Sequence, residues 1–123
     1  MKIINERELI AFFEDLHRHP ELALEEERTT EKIREALSGA GIETLPSGLP
    51  TGLIAVIRGK KPGRVIGLRA DMDALPLQEE TDLPYASEIP GKMHACGHDF
   101  HTACMLGAAL LLKEQENDLC GTV

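Results

Sequence analysis

The sequence predicts a layered α/β domain with an incomplete central sheet. Segments with helical apolar spacing flank short runs rich in Val, Ile and Leu, the pattern of a sheet covered by helices. The run 103–112 has helical length and is apolar on nearly every side, as expected of a helix buried between layers. The final residues, Leu119-Cys120-Gly121-Thr122-Val123, read as a strand that has only begun, so its sheet partner is undefined and the chain reads as truncated.

Element by element, Asn5 with Glu8 three positions on forms a capping-box pattern, with Asn in place of Ser or Thr. Leu9, Phe12, Phe13 and Leu16 then recur at helical spacing, with Glu14, Asp15 and Arg18 on the other side. Pro20 ends that helix near His19. A second helix is expected to start between 24 and 30 and to bury Ile33, Ala36 and Leu37, with Gly39 and Gly41 as its left-handed stop. Residues 42–45 suit a short strand, followed by the turn Pro46-Ser47-Gly48-Leu49-Pro50. Residues 52–58 and 64–70 read as two further strands joined by a connection of hairpin length.

The second of these strands aims its carboxyl end at Asp71-Met72-Asp73, and open α/β sheets gather ligands at such ends. A loop of about 19 residues, 75–93, then leads to a cluster of Cys and His. Loops that long are usually functional, so the aspartates and the cluster are expected to meet. A third helix over about 99–116 follows.

At 123 residues the chain is one domain's worth of sequence, able to bury roughly two-thirds of its unfolded surface. Its 42% hydrophobic and 28% charged residues are a globular composition rather than a disordered one. The formal net charge of −8 argues against nucleic acid or an anionic membrane as partner, because phosphate recognition needs a basic face. No apolar stretch nears the roughly 20 residues that span a bilayer. An odd count of three cysteines, and no charged-then-apolar leader before Asn5, argue against a secreted disulfide framework. The expectation is a reducing, cytoplasmic setting.

The chemistry is concentrated in His94-Ala95-Cys96-Gly97-His98-Asp99-Phe100-His101, which holds three of the five histidines. Thiolate and imidazole bind first-row divalent metals well, and Cys96 and His98 flank a single glycine. In isolation a Cys-x-His pair is more often a buried cysteine beside a helix-start histidine. The neighbouring His94, Asp99 and His101, with Asp-x-Asp upstream, tip the reading to metal. A competing reading makes Cys96 a nucleophile at the positive end of a helix, with His98 or His101 as its base. Nothing else in the sequence completes that machinery.

Asp71 and Asp73 point the same way on an extended strand, whereas a bend at Met72 aims only one of them at a site. Such a pair bridges metals, orients a metal-bound histidine, or merely caps a turn in water, and the spacing leaves these open. His17 and His19 fall where imidazole complements the negative end of a helix. Cys104 and Cys120 are expected in the core. Glu25-Glu26-Glu27 is expected as a solvated run, and Glu79, Glu80 and Asp82 as loop surface.

Three stretches carry a resemblance: Leu16-His17-Arg18-His19-Pro20-Glu21-Leu22, Leu68-Arg69-Ala70-Asp71-Met72-Asp73-Ala74-Leu75-Pro76, and Met93-His94-Ala95-Cys96-Gly97-His98-Asp99-Phe100-His101-Thr102-Ala103. Together, and in this order, they resemble the amidohydrolase branch of the aminoacylase and carboxypeptidase G metallopeptidase family. That branch includes hippurate hydrolases and N-acetyl-diaminopimelate deacetylases. The resemblance implies a layered α/β/α zinc-peptidase-like catalytic domain and hydrolysis of N-acyl amino acids or small peptides by a metal-activated water.

Carried over residue by residue, Cys96 and His98 match that branch's metal ligands, the thiolate bridging. Asp73 matches the catalytic-site acid that orients the site and tunes its electrostatics. Asp71 stands where other branches place a ligand histidine. The resemblance implies two divalent metals per site in the complete enzyme, Mn, Zn, Co or Ni, with thiolate favouring the softer ions. Family members continue with a Glu-Glu pair, further ligand histidines and a smaller dimerisation domain. By this resemblance residues 1–123 are the N-terminal part of the catalytic domain, inactive alone, and the complete protein is a homodimer acting on a small substrate. The alternative is a non-catalytic interaction piece, or a split-gene half that pairs with its missing part through an exposed strand edge.

Overall fold

In the computed structural model, which describes residues 5–123, Asn5 opens helix α1 (Glu6–Arg18) through a reciprocal capping box. The Glu8 amide donates to Asn5 Oδ1 at 2.9 Å and the Asn5 amide donates to Glu8 Oε2 at 3.2 Å. The helix stops at His19, as Pro20 requires. Helix α2 (Glu27–Gly39) gains no cap from the side chain of its own N-cap, Glu26. Instead Glu21 reaches forward: its carboxylate accepts from the Arg28 amide at 3.0 Å and from the Thr29 amide and hydroxyl at 2.6 Å. Orphan donors of the first turn are thereby satisfied by a residue outside the helix.

At the far end the Ile42 amide returns to Leu37 O and the Gly41 amide to Ser38 O, a Schellman closure in which Gly41 takes φ +75°. Gly39 is the last helical residue rather than part of the left-handed stop.

Strands β1 (Glu43–Pro46) and β2 (Leu53–Val56) pair antiparallel, with Glu43 opposite Val56 and Pro46 opposite Leu53. The next strand, β3 (Lys61–Val65), does not form the expected hairpin with β2. Strand β4 (Cys120–Thr122) comes between them, parallel to β3 and bridged antiparallel to Arg58. Ile57 and Val123 exchange both backbone hydrogen bonds, at 2.9 and 3.0 Å, and Ile66 donates to Thr122 O at 2.9 Å.

Local turn signals at 59–63 suggested a hairpin, but the backbone groups of this stretch find partners more than fifty residues later in the chain. Glycines make the insertion possible. A Cβ on Gly59 would lie 2.1 Å from Leu119 O, and one on Gly121 would lie 2.1 Å from Arg64 O. The strand expected at 64–70 is therefore shifted toward the N-terminus, and residues 67–70 carry no strand pairing. Val65, Ile66 and Leu68 stand 80, 57 and 55% exposed.

Helix α3 (His98–Glu114) lies against α1 and α2. Its close approach to α1 is at Gly107, where a Cβ would sit 2.9 Å from Leu9 Cδ2. Leu106 and Leu110 join Leu37, Ile42 and Ile57 in the core, with Leu9, Phe12 and Ile33 packed on it.

The expectation that α3 is buried on every side is corrected, because one face packs and Phe100, Cys104 and Leu111 are exposed on the other. Cys104 and Cys120, expected in the core, are both exposed. An apolar cavity of about 560 Å³ remains open between Ile33, Ile54, Ile66, Leu68, Met105 and Leu112. The chain is thus an α/β layer of helices on partial, two-stranded sheets. Among the described residues no helix is long and apolar enough to cross a membrane.

Candidate metal centre

The 75–93 loop is closed at its base. Leu75 and Met93 exchange backbone hydrogen bonds at 2.9 and 3.0 Å, which brings the aspartates at its start beside the cysteine and histidines at its end. The two acids part company. Asp71 turns out to Arg69 at 2.6 Å, while its carbonyl accepts from the Thr102 hydroxyl at 3.1 Å. Asp73 turns in: its Oδ1 accepts from His98 Nδ1 at 2.8 Å and its carbonyl lies 3.1 Å from the same nitrogen. The exposed Cys96 thiol lies 3.8 Å from that carbonyl. Both Cys96 and His98 therefore converge on Asp73.

Gly97, between them, takes φ +89° at the N-cap of α3, a left-handed conformation that lets the chain turn from Cys96 into the helix. His101 lies exposed beside His98, ring centroids 6.0 Å apart.

An imidazole whose Nδ1 is held by a carboxylate offers Nε2 as a ligand atom, the usual arrangement of a metal-binding histidine. With a thiol two positions away, the donor chemistry fits a divalent transition metal. The fit is partial: among the described residues no group of three or more His, Cys, Asp or Glu side chains is placed to hold an ion. His94 adds a second sign of incompleteness. It is 4% exposed, yet neither of its ring nitrogens has a hydrogen-bond partner. Burial pulls its pKa below the ordinary histidine value, with the charge of Asp99 opposing. For Cys96 as a nucleophile the geometry offers no support, since its hydrogen-bond partner is a carbonyl and not a histidine nitrogen.

Several residues read as bland prove to be part of this neighbourhood. His17, expected only to complement the negative end of α1, is buried between Asp99 Oδ2 at 2.7 Å and Glu79 Oε1 at 2.9 Å. Glu79, expected on the loop surface, is 8% exposed, while Glu80 and Asp82 are exposed as expected. Burial pushes the Glu79 carboxyl up, but donation from the Thr81 hydroxyl, the Ser87 amide and His17 outweighs it and holds the group below its ordinary value. One signal was available in sequence: His17 falls four residues after Phe13, on the helix stripe that also carries Leu9 and Leu16.

Glu26, expected in a solvated run, is buried and accepts from the Glu25 amide, while Glu25 and Glu27 are exposed. His19 does behave as a helix-end residue, its Nδ1 meeting the Asp15 carbonyl at 2.8 Å.

Comparison with known proteins places these features. Residues 67–123 match the peptidase family M20/M25/M40. The chain is 54% identical to an N-acetylcysteine deacetylase of Bacillus subtilis over 94% of its length. It is 45% identical to an N-acyl-L-amino acid amidohydrolase of Geobacillus stearothermophilus, also over 94% of its length. It covers 30% and 31% of those proteins, so it spans about a third of the relatives it matches. A crystal structure of a Bacillus subtilis dinuclear metal-binding peptidase of the M20 family superposes with a TM-score of 0.92 at 53% identity, over 95% of this chain and 33% of that one. Shared sequence and shared fold agree: residues 67–123 match the peptidase family M20/M25/M40, and the chain as a whole is similar to about a third of an M20-family peptidase.

Proposed function

We propose that this chain is the part of a metal-dependent amidohydrolase catalytic domain that contributes Cys96, His98 and Asp73 to its metal centre, and that the whole protein cleaves N-acyl amino acids or small peptides. The observation that carries the reading is the convergence of Cys96 and His98 on Asp73, in a chain 54% identical to an N-acetylcysteine deacetylase. Cys96 and His98 would hold a divalent ion, which supplies Lewis-acid polarisation of the amide carbonyl and lowers the pKa of a water. Mn, Zn, Co and Ni are all compatible with this donor pair.

Asp73 holds the His98 ring by its Nδ1, which fixes both tautomer and orientation. The smaller dimerisation domain belongs to the remainder of the protein, and the setting is cytoplasmic. With two ligands and, among the described residues, no group of three donors placed to hold an ion, the chain alone binds metal weakly and does not turn over substrate. The test is an assay on N-acetyl and N-benzoyl amino acids with Mn²⁺ or Zn²⁺. Hydrolysis should appear only when the chain is joined to the remaining two-thirds of a relative, and Cys96→Ala should abolish it. Robust turnover by the isolated chain, or by the joined Cys96→Ala protein, refutes the proposal.

A second reading, a piece that works by pairing, draws on the unpaired 67–70 stretch and the exposed Val65, Ile66 and Leu68 above the apolar cavity. An open edge of this kind recruits another strand. Sedimentation of the chain alone, and with the remaining part of a relative added in trans, separates a self-sufficient monomer from a half that pairs.

A further inference from the structure

Behind the Asp73–His98 pair lies a buried relay. His17, near the end of α1, meets Glu79 of the 75–93 loop through Nε2 at 2.9 Å and Asp99 of the first turn of α3 through Nδ1 at 2.7 Å. The side chains of His17, Glu79 and Asp99 are 7, 1 and 3% exposed. Each ring nitrogen thus meets a carboxylate oxygen, and the imidazole ties the loop to the helix.

Charged groups are costly to bury unless their remaining lone pairs are used. Here they are. Glu79 also accepts from the Ser87 amide at 2.9 Å and from the Thr81 hydroxyl, and Asp99 Oδ1 accepts from the Phe100 amide at 2.9 Å. The helices α1 and α3 also meet at a second place, where Leu9 packs at Gly107. What the relay adds is direction. Asp99 follows His98 in the chain, so fixing the Asp99 carboxylate fixes the turn that presents the His98 ring to Asp73.

We propose that His17 is a positioning residue for His98: acting through Asp99, it sets the first turn of α3 so that His98 keeps Nδ1 on Asp73 and leaves Nε2 for a ligand. This deepens the metal-centre reading and rests on it. The two arms of the imidazole are separable. Asn at 17 places its amide nitrogen where Nδ1 stood and keeps the link to Asp99, whereas Gln places it where Nε2 stood and keeps only the link to Glu79.

The test uses the metal-free chain with ¹⁵N-labelled histidine, whose two-bond ¹H–¹⁵N spectra report the tautomer of His98. Wild type and His17→Asn should show one tautomer, protonated at Nδ1, and His17→Gln a mixture. An unchanged His98 in His17→Gln, or equal scrambling in both variants, overturns the proposal. Should His17→Gln fail to fold by circular dichroism, Asp99→Asn and Glu79→Gln take its place. Asp99→Asn leaves one oxygen for two donors and should scramble His98, while Glu79→Gln should not; no difference between them, or the reverse, overturns the proposal.

Titration with Co²⁺ should then show affinity at least tenfold weaker in the scrambled variant only, and equal affinity in all variants also counts against the relay. A wild-type chain that takes up no Co²⁺ refutes the metal reading alone, and the role of His17 is still decided by the metal-free spectra.

Discussion

Replacing Asp73 with alanine removes the carboxylate that holds His98 Nδ1 and leaves the backbone carbonyl that Cys96 approaches, and the consequences should split cleanly between folding and metal binding. The Asp73–His98 hydrogen bond is 2.8 Å long, but its partners are 31 and 25% exposed, so water competes for both. A hydrogen bond that open contributes about 1 kcal/mol or less to stability, which for a chain of this size shifts Tm by roughly 4 °C. Loss of the carboxylate that orients a ligand histidine, by contrast, typically costs 10–100-fold in metal affinity, or about 1.4–2.8 kcal/mol.

Co²⁺ binding followed by absorption, beside thermal melts of the metal-free protein, measures the two effects separately. Affinity should fall by at least tenfold while Tm changes by a few degrees. Unchanged Co²⁺ affinity in Asp73→Ala would show that the carboxylate does not orient His98. A melt that drops as far as the affinity does would show that Asp73 acts through the fold.

Gly97→Ala should cost about 1–2 kcal/mol in urea unfolding from the left-handed backbone alone, since nothing lies within 4 Å of the added Cβ; no change would mean that the turn relaxes without strain. Leu106→Ala, at a 3%-exposed position between Leu37, Ile42 and Ile57, should cost about 2–5 kcal/mol in the same assay.

Stability should also fall on the acid side. The Glu79 carboxyl is held below its ordinary value of 4.5, so its contribution is fully present above that pH and is lost as pH falls through the lower folded-state value. Glu79→Gln should flatten that limb of the pH–stability profile, and an identical limb in the variant would show that other groups cause it.

Much of the local architecture was legible in sequence because its causes are local. Asn5 and Glu8 announce the start of α1, Pro20 announces its end, and the Gly41 closure of α2 follows from a glycine at the one place that needs positive φ. Cys96-Gly97-His98 likewise states its own geometry, since a single glycine in left-handed conformation brings thiol and imidazole to one side.

Other features depended on contacts across the chain. The hairpin suggested at 59–63 dissolved because the β4 backbone, from the far end of the sequence, offered those amides and carbonyls better partners. His17, Glu79 and Asp99 are separated by 62 and 82 positions from His17 onward, so no spacing rule relates them.

By itself, then, the amino-acid order determined the helices, the capping box of α1, the glycine closure of α2 and the adjacency of Cys96 and His98, because each depends on residues within a few positions of one another. The tertiary structure alone decided which aspartate faces the site, which glutamate is buried, and which face of α3 is left open. Those outcomes depend on desolvation and on hydrogen-bond partners brought from distant segments, and a buried charge is tolerable only where the completed fold supplies them.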